Sequence, residues 1–325
     1  MKNNNPCLLR TTAHFLPGLL LAVTAGLFFS TAGAGPSMSA AEAAGIASSG
    51  KASNLGEMGV QALRIKGKLN LKSSSVIVMD EANAAILYSK RADVPMPVAS
   101  ITKLLTALVV LEGEQGLDEQ ITITEEDRDT EKGSSSRLPF GTELTRDELL
   151  HLALMASENR AAHAMARSYP GGLTAFVHAM NVKAKALGMS SAFFADPTGL
   201  SSLNVSSAAD LIKLVSAASF NPVIREYSTY QSYAVMIGRR LVEFHSTNSL
   251  VALPDWEIAV QKTGYTVDAG RCLVMKALIQ DRPVLMVLLH SSGTKTRIAD
   301  ARRVKKWVES ATVPLTAATL SSRNL

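Results

Sequence analysis

Residues 100–112 read SITKLLTALVVLE, and this segment determines how the rest of the chain is interpreted. Its apolar residues fall at positions 101, 104, 105, 108, 109 and 111, the 3.6-residue period of a helix buried on most of its circumference. Ser100 lies at the start of this helix. Lys103 follows one turn later on the same face, with Cβ atoms about 5–6 Å apart. A helix N-terminus stabilises negative charge, so Ser100 and Lys103 are a candidate nucleophile and base for acyl transfer.

Strands are predicted on both sides of this helix. Apolar runs at 76–79 and 84–88 flank a polar turn and predict a β-hairpin. Further strands are predicted at 235–244 (with a turn at Gly238), 258–263, 272–279 and 284–290, and further helices at 145–156, 173–187, 208–218 and 297–310. Thr145 and Glu148 form a capping box at the start of the second helix. This order predicts an α+β fold, in which an antiparallel sheet uses both chain ends and carries an inserted helical region.

Composition excludes several classes of protein. The 325 residues are 47% hydrophobic and 19% charged, which excludes a disordered chain. The net charge is +5 and falls to +3 without residues 1–34, which hold two basic residues and no acid. Basic runs interleaved with aromatic residues are missing from the sequence. We therefore expect no nucleic-acid partner.

The N-terminal segment has the pattern of an export signal. A basic start precedes an apolar stretch and the small residues Ala32-x-Ala34, which predicts a cleaved signal peptide over 1–34 and a periplasmic location. An uncleaved membrane anchor is the alternative. We expect a flexible leader over 35–60, a catalytic domain over 61–312 and a tail over 313–325, with no stable membrane anchor in the mature chain.

Cleavage would remove Cys7 and leave Cys272 as the single cysteine. Cys272 lies in an apolar run with the pattern of a strand, and free cysteine is among the most buried residue types. We interpret Cys272 as a core residue.

Two more motifs carry candidate chemistry. Ser157-Glu158-Asn159 follows the helix over 145–156, where a hydroxyl and an amide can face a cleft or can make local helix caps. Lys262-Thr263-Gly264 occurs once, in a predicted strand. Its ammonium and hydroxyl can bind a carboxylate, and its glycine permits close approach of a ligand backbone. The alternative for this tripeptide is an exposed strand with a glycine bend.

Taken in order, Ser100-x-x-Lys103, Ser157-x-Asn159 and Lys262-Thr263-Gly264 resemble the motifs of the serine penicillin-binding protein and β-lactamase superfamily. The resemblance covers about residues 65–312. It is strongest to the low-molecular-mass D-alanyl-D-alanine carboxypeptidase and endopeptidase family, through the segments ASITKL at 99–104, LMASENRAA at 154–162 and DPTGL at 196–200.

The resemblance implies a role for each motif residue. It implies a nucleophile at Ser100, a general base at Lys103 and a proton relay at Ser157. Asn159 would position the peptide, and Lys262 and Thr263 of the Lys262-Thr263-Gly264 motif would bind a carboxylate. The backbone N–H groups of Ser100 and Tyr265 would form the oxyanion hole. It also implies peptidoglycan stem peptides and cross-links as substrates and β-lactams as covalent inhibitors. No cofactor or metal is implied.

We expect a D-alanyl-D-alanine endopeptidase, with a D-alanyl-D-alanine carboxypeptidase as the alternative because both reactions use the same residues. Glu158 stands where many relatives have glycine, which fits the endopeptidase branch and adds an anion near the site. A β-lactamase is disfavoured because the Glu-x-x-Leu-Asn segment of class A enzymes is missing from the sequence. A catalytically silent wall-binding protein is disfavoured because Ser100, Lys103 and Ser157 are all present. A metallopeptidase is disfavoured because the six histidines lack ligand spacing.

Overall fold

The computed structural model describes residues 68–113 and 115–311. The expected signal peptide over 1–34, leader over 35–60 and tail over 313–325 lie outside the described residues. Within the described residues, no helix combines the length and the apolar character needed to cross a membrane.

The secondary structure alternates from strands to helices and back to strands. The strands are β1 Ser75–Asp80, β2 Ala85–Lys90, β3 Met96–Pro97, β4 Gln120–Thr122, β5 Glu143–Thr145, β6 Val205–Ser206, β7 Ser232–Ile237, β8 Arg240–His245, β9 Glu257–Thr266, β10 Gly270–Ile279 and β11 Arg282–Ser291. The helices are α1 Thr102–Glu112, α2 Arg146–Met155, α3 Asn159–Arg167, α4 Gly172–Ala186, α5 Ala208–Phe220, α6 Pro222–Thr229 and α7 Thr296–Glu309. The long predicted elements are confirmed to within a few residues.

A five-stranded sheet joins the two ends of the described chain. Its order is β2–β1–β11–β10–β9, and each neighbouring pair is antiparallel. The β1–β2 pair is the predicted hairpin, and helices α1 to α6 are inserted between β2 and β9. The predicted α+β architecture is therefore confirmed. The predicted strand over 235–244 forms a separate two-stranded hairpin, β7–β8, which turns at Gly238 with φ 60°.

The sheet is covered on both faces because alternate side chains of each strand point to opposite sides. On one face, residues such as Ile77 and Val274 pack with the inserted helices in the larger apolar cluster. On the other face, residues such as Leu273 and Met275 pack with α7 in a second cluster. Cys272 is fully buried in the larger cluster, as predicted.

Local sequence signals explain where several helices begin. The Thr145 hydroxyl accepts from the Glu148 N–H at 3.1 Å, and the Glu148 carboxylate accepts from the Thr145 N–H at 2.8 Å, which confirms the capping box at α2. Two helices were not predicted. The buried face of α3 is mostly alanine, but Arg160, His163 and Arg167 recur at helical spacing, so the segment is amphipathic and its sequence indicates a helix. Helix α6 also carries a sequence signal, in its Asn221 cap and in Pro222 at the first position.

Candidate active site

Ser100 lies in a tight turn at the N-terminus of α1. Residues Ala99–Ile101 form a single 3-10 turn that leads into the helix at Thr102, so the predicted start of the helix is one 3-10 turn followed by α-helix. Ala99 has a left-handed backbone with φ 49°, which costs an alanine about 1–2 kcal/mol. Such strain is retained where the surrounding structure fixes the backbone. At Ala99, two segments pack against the backbone, each through a glycine.

These glycines bring other segments against the Ser100 backbone. A Cβ on Gly264 of β9 would lie 3.1 Å from the Ser100 nitrogen, and a Cβ on Gly199 would lie 2.8 Å from it. The sequence predicts that Gly264 lets the backbone of a ligand approach β9 closely. In the structure, the close backbone is that of the protein itself, from Val98 to Ser100. This approach fixes Ser100 against the edge strand of the sheet.

Lys103 is buried at the centre of the predicted site residues, with 1% of its surface exposed. Its Nζ lies 3.0 Å from the Ser100 Oγ, 2.7 Å from the Asn159 Oδ1 and 2.6 Å from the Thr198 carbonyl oxygen. Burial lowers the pKa of Lys103 to about 7, although the charges of Asp196 and Glu158 act to raise it. An amine with this pKa can donate to Asn159 and Thr198 while its lone pair accepts the proton of Ser100.

The segment Ser157-Glu158-Asn159 connects α2 to α3. Asn159 is not a local helix cap: its Oδ1 accepts from Lys103, and its Nδ2 donates to the Ser134 hydroxyl at 2.9 Å. Ser157 has a left-handed backbone with φ 63°. Within residues 68–113 and 115–311 its hydroxyl makes no hydrogen bond, which leaves both its proton and its lone pairs for a substrate.

Glu158 is buried, and the half-buried Ser136 contacts it from a preceding loop. The Ser136 hydroxyl donates to the Glu158 carboxylate, and the same Ser136 Oγ accepts from the Leu138 N–H at 3.1 Å. Burial raises the pKa of Glu158. The Glu158 carboxylate, the anion expected near the site, acts to raise the pKa of Lys103. Its hydrogen bond with Ser136 also joins the 134–138 loop to the α2–α3 connection.

Lys262 and Thr263 lie on β9, beside the turn that carries Ser100. Lys262 is fully buried and donates to the Thr263 carbonyl at 3.1 Å, but it has no carboxylate partner in the described part of the chain. Burial, the Lys103 charge and the Arg297 charge lower its pKa. The Thr263 Oγ1 lies 2.6 Å from the Thr247 Oγ1. A buried ammonium without a counter-ion, next to a hydroxyl, is suited to bind an anion.

Tyr265 follows on β9 and is 54% exposed, with the Arg271 guanidinium 4.3 Å from the centre of its ring. A salt bridge of 2.7 Å between Lys132 and Asp268 joins the 128–138 loop to the β9–β10 turn. A cavity of about 410 Å³ opens beside Asn159 and Thr198, and its lining includes none of Ser100, Lys103 and Lys262. The predicted site residues themselves lie where the Ser100 turn and the α2–α3 connection meet β9, the edge strand of the sheet.

Three residues with contacts in this site were missed by sequence reasoning. The Thr198 carbonyl accepts from Lys103, Gly199 packs against Ala99 and Ser100, and the Arg297 guanidinium donates to the Gly264 carbonyl at 2.6 Å. The Pro-Thr-Gly stretch that includes Thr198 signals a turn, which was the available clue. In the described part of the chain, no group of His, Cys, Asp or Glu side chains could hold a metal ion.

The chain is similar to known proteins along most of its length. Residues 62–293 match the family model described as D-alanyl-D-alanine carboxypeptidase, Peptidase S11. The D-alanyl-D-alanine endopeptidase of Pseudomonas aeruginosa is 43% identical over 245 residues, which are 75% of this chain and 79% of that protein. The D-alanyl-D-alanine endopeptidase of Escherichia coli is 42% identical over 254 residues, which are 77% and 82% of the two chains.

A solved structure has the same fold. The crystal structure of the Streptomyces K15 DD-transpeptidase matches with a TM-score of 0.70 and 27% sequence identity, and the match covers 75% of this chain and 99% of that one.

Proposed function

The chain belongs to the peptidase family described as D-alanyl-D-alanine carboxypeptidase, and we propose that it is a serine D-alanyl-D-alanine endopeptidase that hydrolyses the cross-links of peptidoglycan. One observation carries the proposal. The buried Lys103 amine, whose pKa is lowered to about 7, lies 3.0 Å from the hydroxyl of Ser100, in the 3-10 turn that leads into α1. This arrangement activates a serine near neutral pH without a histidine.

Acylation begins when neutral Lys103 takes the proton of Ser100. The Ser100 Oγ attacks the carbonyl carbon of a D-alanine residue and forms an ester as the C–N bond breaks. Lys103 passes its proton through the Ser157 hydroxyl to the leaving amine. The negative oxygen of the tetrahedral intermediate is held by the backbone N–H groups of Ser100 and Tyr265.

Deacylation uses the same base. Lys103, again neutral, takes a proton from a water molecule as the water oxygen attacks the ester carbonyl. The ester C–O bond breaks, and the proton held by Lys103 returns to the Ser100 oxygen. The Asn159 amide, fixed by Lys103 and Ser134, hydrogen-bonds a peptide group of the acyl strand and keeps the carbonyl in line.

The substrate carboxylate binds to Lys262 and Thr263. Lys262 lacks a carboxylate partner within residues 68–113 and 115–311, so an incoming carboxylate compensates its burial and favours its charged form. A terminal D-alanine and the diamino acid of a cross-link both present such a carboxylate next to the scissile bond. Cleavage of cross-links is supported by the two relatives named endopeptidases, which are 42–43% identical to this chain.

The proposal includes two consequences. A β-lactam acylates Ser100 by the same attack, because its ring carbonyl takes the place of the D-alanine carbonyl. The enzyme works outside the cytoplasm, where its substrate lies, and the Ala32-x-Ala34 pattern supports export to the periplasm through a signal peptide over residues 1–34.

The test is product identification from purified, cross-linked muropeptide dimers. We expect the wild-type protein to split dimers into monomers and the Ser100→Ala variant to leave them intact. The matched control is Ser292→Ala, since Ser292 is the exposed serine of another Ser-x-x-Lys sequence in this chain. Dimer cleavage by Ser100→Ala, or intact dimers with the wild type, would contradict the proposal.

A further inference from the structure

A second cavity, of about 600 Å³, lies at the N-terminus of α7 beside the carboxylate-binding motif. Its lining is basic and hydroxylic: Ser246, Thr247, Ser249, Arg271, Thr294, Lys295, Arg297, Ile298, Ala299 and Arg302. Four of these residues are cationic, and the lining contains no acidic residue. Such a concentration of one charge in a concave surface attracts an anion.

The four cations form no close ion pairs with carboxylates in the described part of the chain. Among residues 68–113 and 115–311, none of Arg271, Lys295, Arg297 and Arg302 forms an ion pair with an acidic side chain. Arg297 is only 9% exposed, and its Nε is buried without a hydrogen-bond partner there. Burial and the charge of Arg271 lower the pKa of Arg297. Its Nη1 donates to the Gly264 and Cys272 carbonyl oxygens at 2.6 and 3.2 Å, so neutral groups satisfy part of the guanidinium, and its charge and its Nε–H remain available to an anion.

The first turn of α7 adds to this positive potential. The N-cap position is Lys295, no side chain caps the helix, and no acidic residue lies in the first turn. The free N–H groups and the positive end of the helix dipole therefore face an anion site without the acidic residues that usually compensate them.

Two residues of the cavity lining contact residues of β9 at the site of the proposed reaction. Thr247 lines the cavity, and its Oγ1 lies 2.6 Å from the Oγ1 of Thr263. Arg271 lines it as well and lies over the ring of Tyr265. The cavity therefore begins one hydrogen bond away from Thr263, and a ligand whose first carboxylate binds Lys262 and Thr263 reaches it by passing Thr247.

We propose that this cavity binds a second carboxylate, one that belongs to the leaving stem peptide of a cross-link. The inference rests on the proposed function and assigns its substrate preference. A free D-alanine leaving group has one carboxylate, which Lys262 and Thr263 bind. A leaving stem has the carboxylate of its diamino acid and at least its own C-terminal carboxylate. Only a cross-link can use both sites, so the cavity favours endopeptidase over carboxypeptidase activity.

The test compares three substrates and two matched double variants. Lys295→Gln/Arg302→Gln removes two exposed cations of the cavity, and Lys185→Gln/Lys306→Gln removes two exposed cations elsewhere. For each protein, kcat/KM is measured on a cross-linked peptide dimer and on a pentapeptide monomer. A third substrate is the same dimer with the remaining carboxylates of its leaving stem converted to amides. Thermal unfolding establishes that both variants are folded.

We expect the cavity variant to lower the dimer-to-monomer ratio of kcat/KM about fivefold, mainly through KM, and the control variant to keep the wild-type ratio. The wild type should cleave the amidated dimer more slowly than the free acid, and the cavity variant should not distinguish them. An unchanged ratio in the cavity variant would overturn the inference while the endopeptidase function stands. Wild-type protein that releases D-alanine but leaves dimers intact would refute both.

Discussion

Replacement of Gly199 by alanine should disable acylation at Ser100 although residue 199 carries no reactive group. Gly199 has φ +85°, and an added Cβ would lie 2.0 Å from the Ala99 carbonyl oxygen and 2.3 Å from its carbonyl carbon. Ordinary contact begins at 3.4 Å. The two backbone segments must therefore separate by roughly 1 Å, and a displacement of that size at a reacting group costs about 100-fold in rate.

Gly141→Ala is the matched control. Gly141 has nearly the same backbone, with φ +82°, but an added Cβ there meets nothing within 4 Å. Both variants therefore carry the left-handed strain of about 1–2 kcal/mol, and Gly199→Ala adds about 1–3 kcal/mol from overpacking. Only Gly199→Ala also moves the nucleophile.

The assay is the second-order rate of acylation by a fluorescent penicillin, measured at a temperature where circular dichroism finds both variants folded. We expect Gly199→Ala to be about 100-fold slower than Gly141→Ala. Acylation rates within about threefold of each other, in two folded proteins, would refute the argument that Gly199 sets the position of Ser100.

Three further predictions concern single residues. Ser100→Ala should abolish labelling by fluorescent penicillin and leave the unfolding temperature near that of the wild type, and retained labelling would move the nucleophile elsewhere. The rate of acylation should rise with pH and reach half its maximum near pH 7, because only neutral Lys103 accepts a proton and its pKa is lowered to about 7; a rate that does not change between about pH 6 and 8 would contradict that role. Cys272→Ala should lower the free energy of unfolding by about 1–2 kcal/mol, since Cys272 is fully buried, and should leave turnover near the wild-type value. A large loss of activity with unchanged stability in denaturant titrations would count against a purely structural role for Cys272.

The elements that hold the site could be predicted because their signals are local. Helix α1 follows from its apolar period, the start of α2 from its capping box, and β9 from an apolar run that includes Lys262. The spacing of Ser100 and Lys103 sufficed to predict their contact, because one helical turn sets the separation of their Cβ atoms.

The contacts that complete the site could not be predicted because they join distant parts of the chain. Thr198 lies 95 positions from Lys103, and Arg297 lies 33 positions from Gly264. The sequence at Thr198 indicates a turn, but a turn signal does not specify which surface it packs against. Gly264 illustrates a partial success. The sequence indicates that a backbone approaches Gly264 closely, but only the structure shows that this backbone is the turn that carries Ser100.

Helix α3 was missed for a different physical reason. Its buried side chains are mainly alanines, so a search for large apolar residues does not find it, although Arg160, His163 and Arg167 recur at helical spacing and mark its polar side. Asn159 begins this helix, so the segment after α2 is a connection between two helices. That connection directs Asn159 towards Lys103.

The central claim, that this peptidase prefers cross-links, is tested most directly by measuring both reactions side by side at equal substrate concentration. One sample contains muropeptide dimers and the other a pentapeptide monomer, and the initial rates of monomer formation and of D-alanine release are compared. We expect dimers to be split faster than the monomer loses its terminal D-alanine. Faster release of D-alanine, with the dimers left intact, would make the protein a carboxypeptidase and contradict the claim.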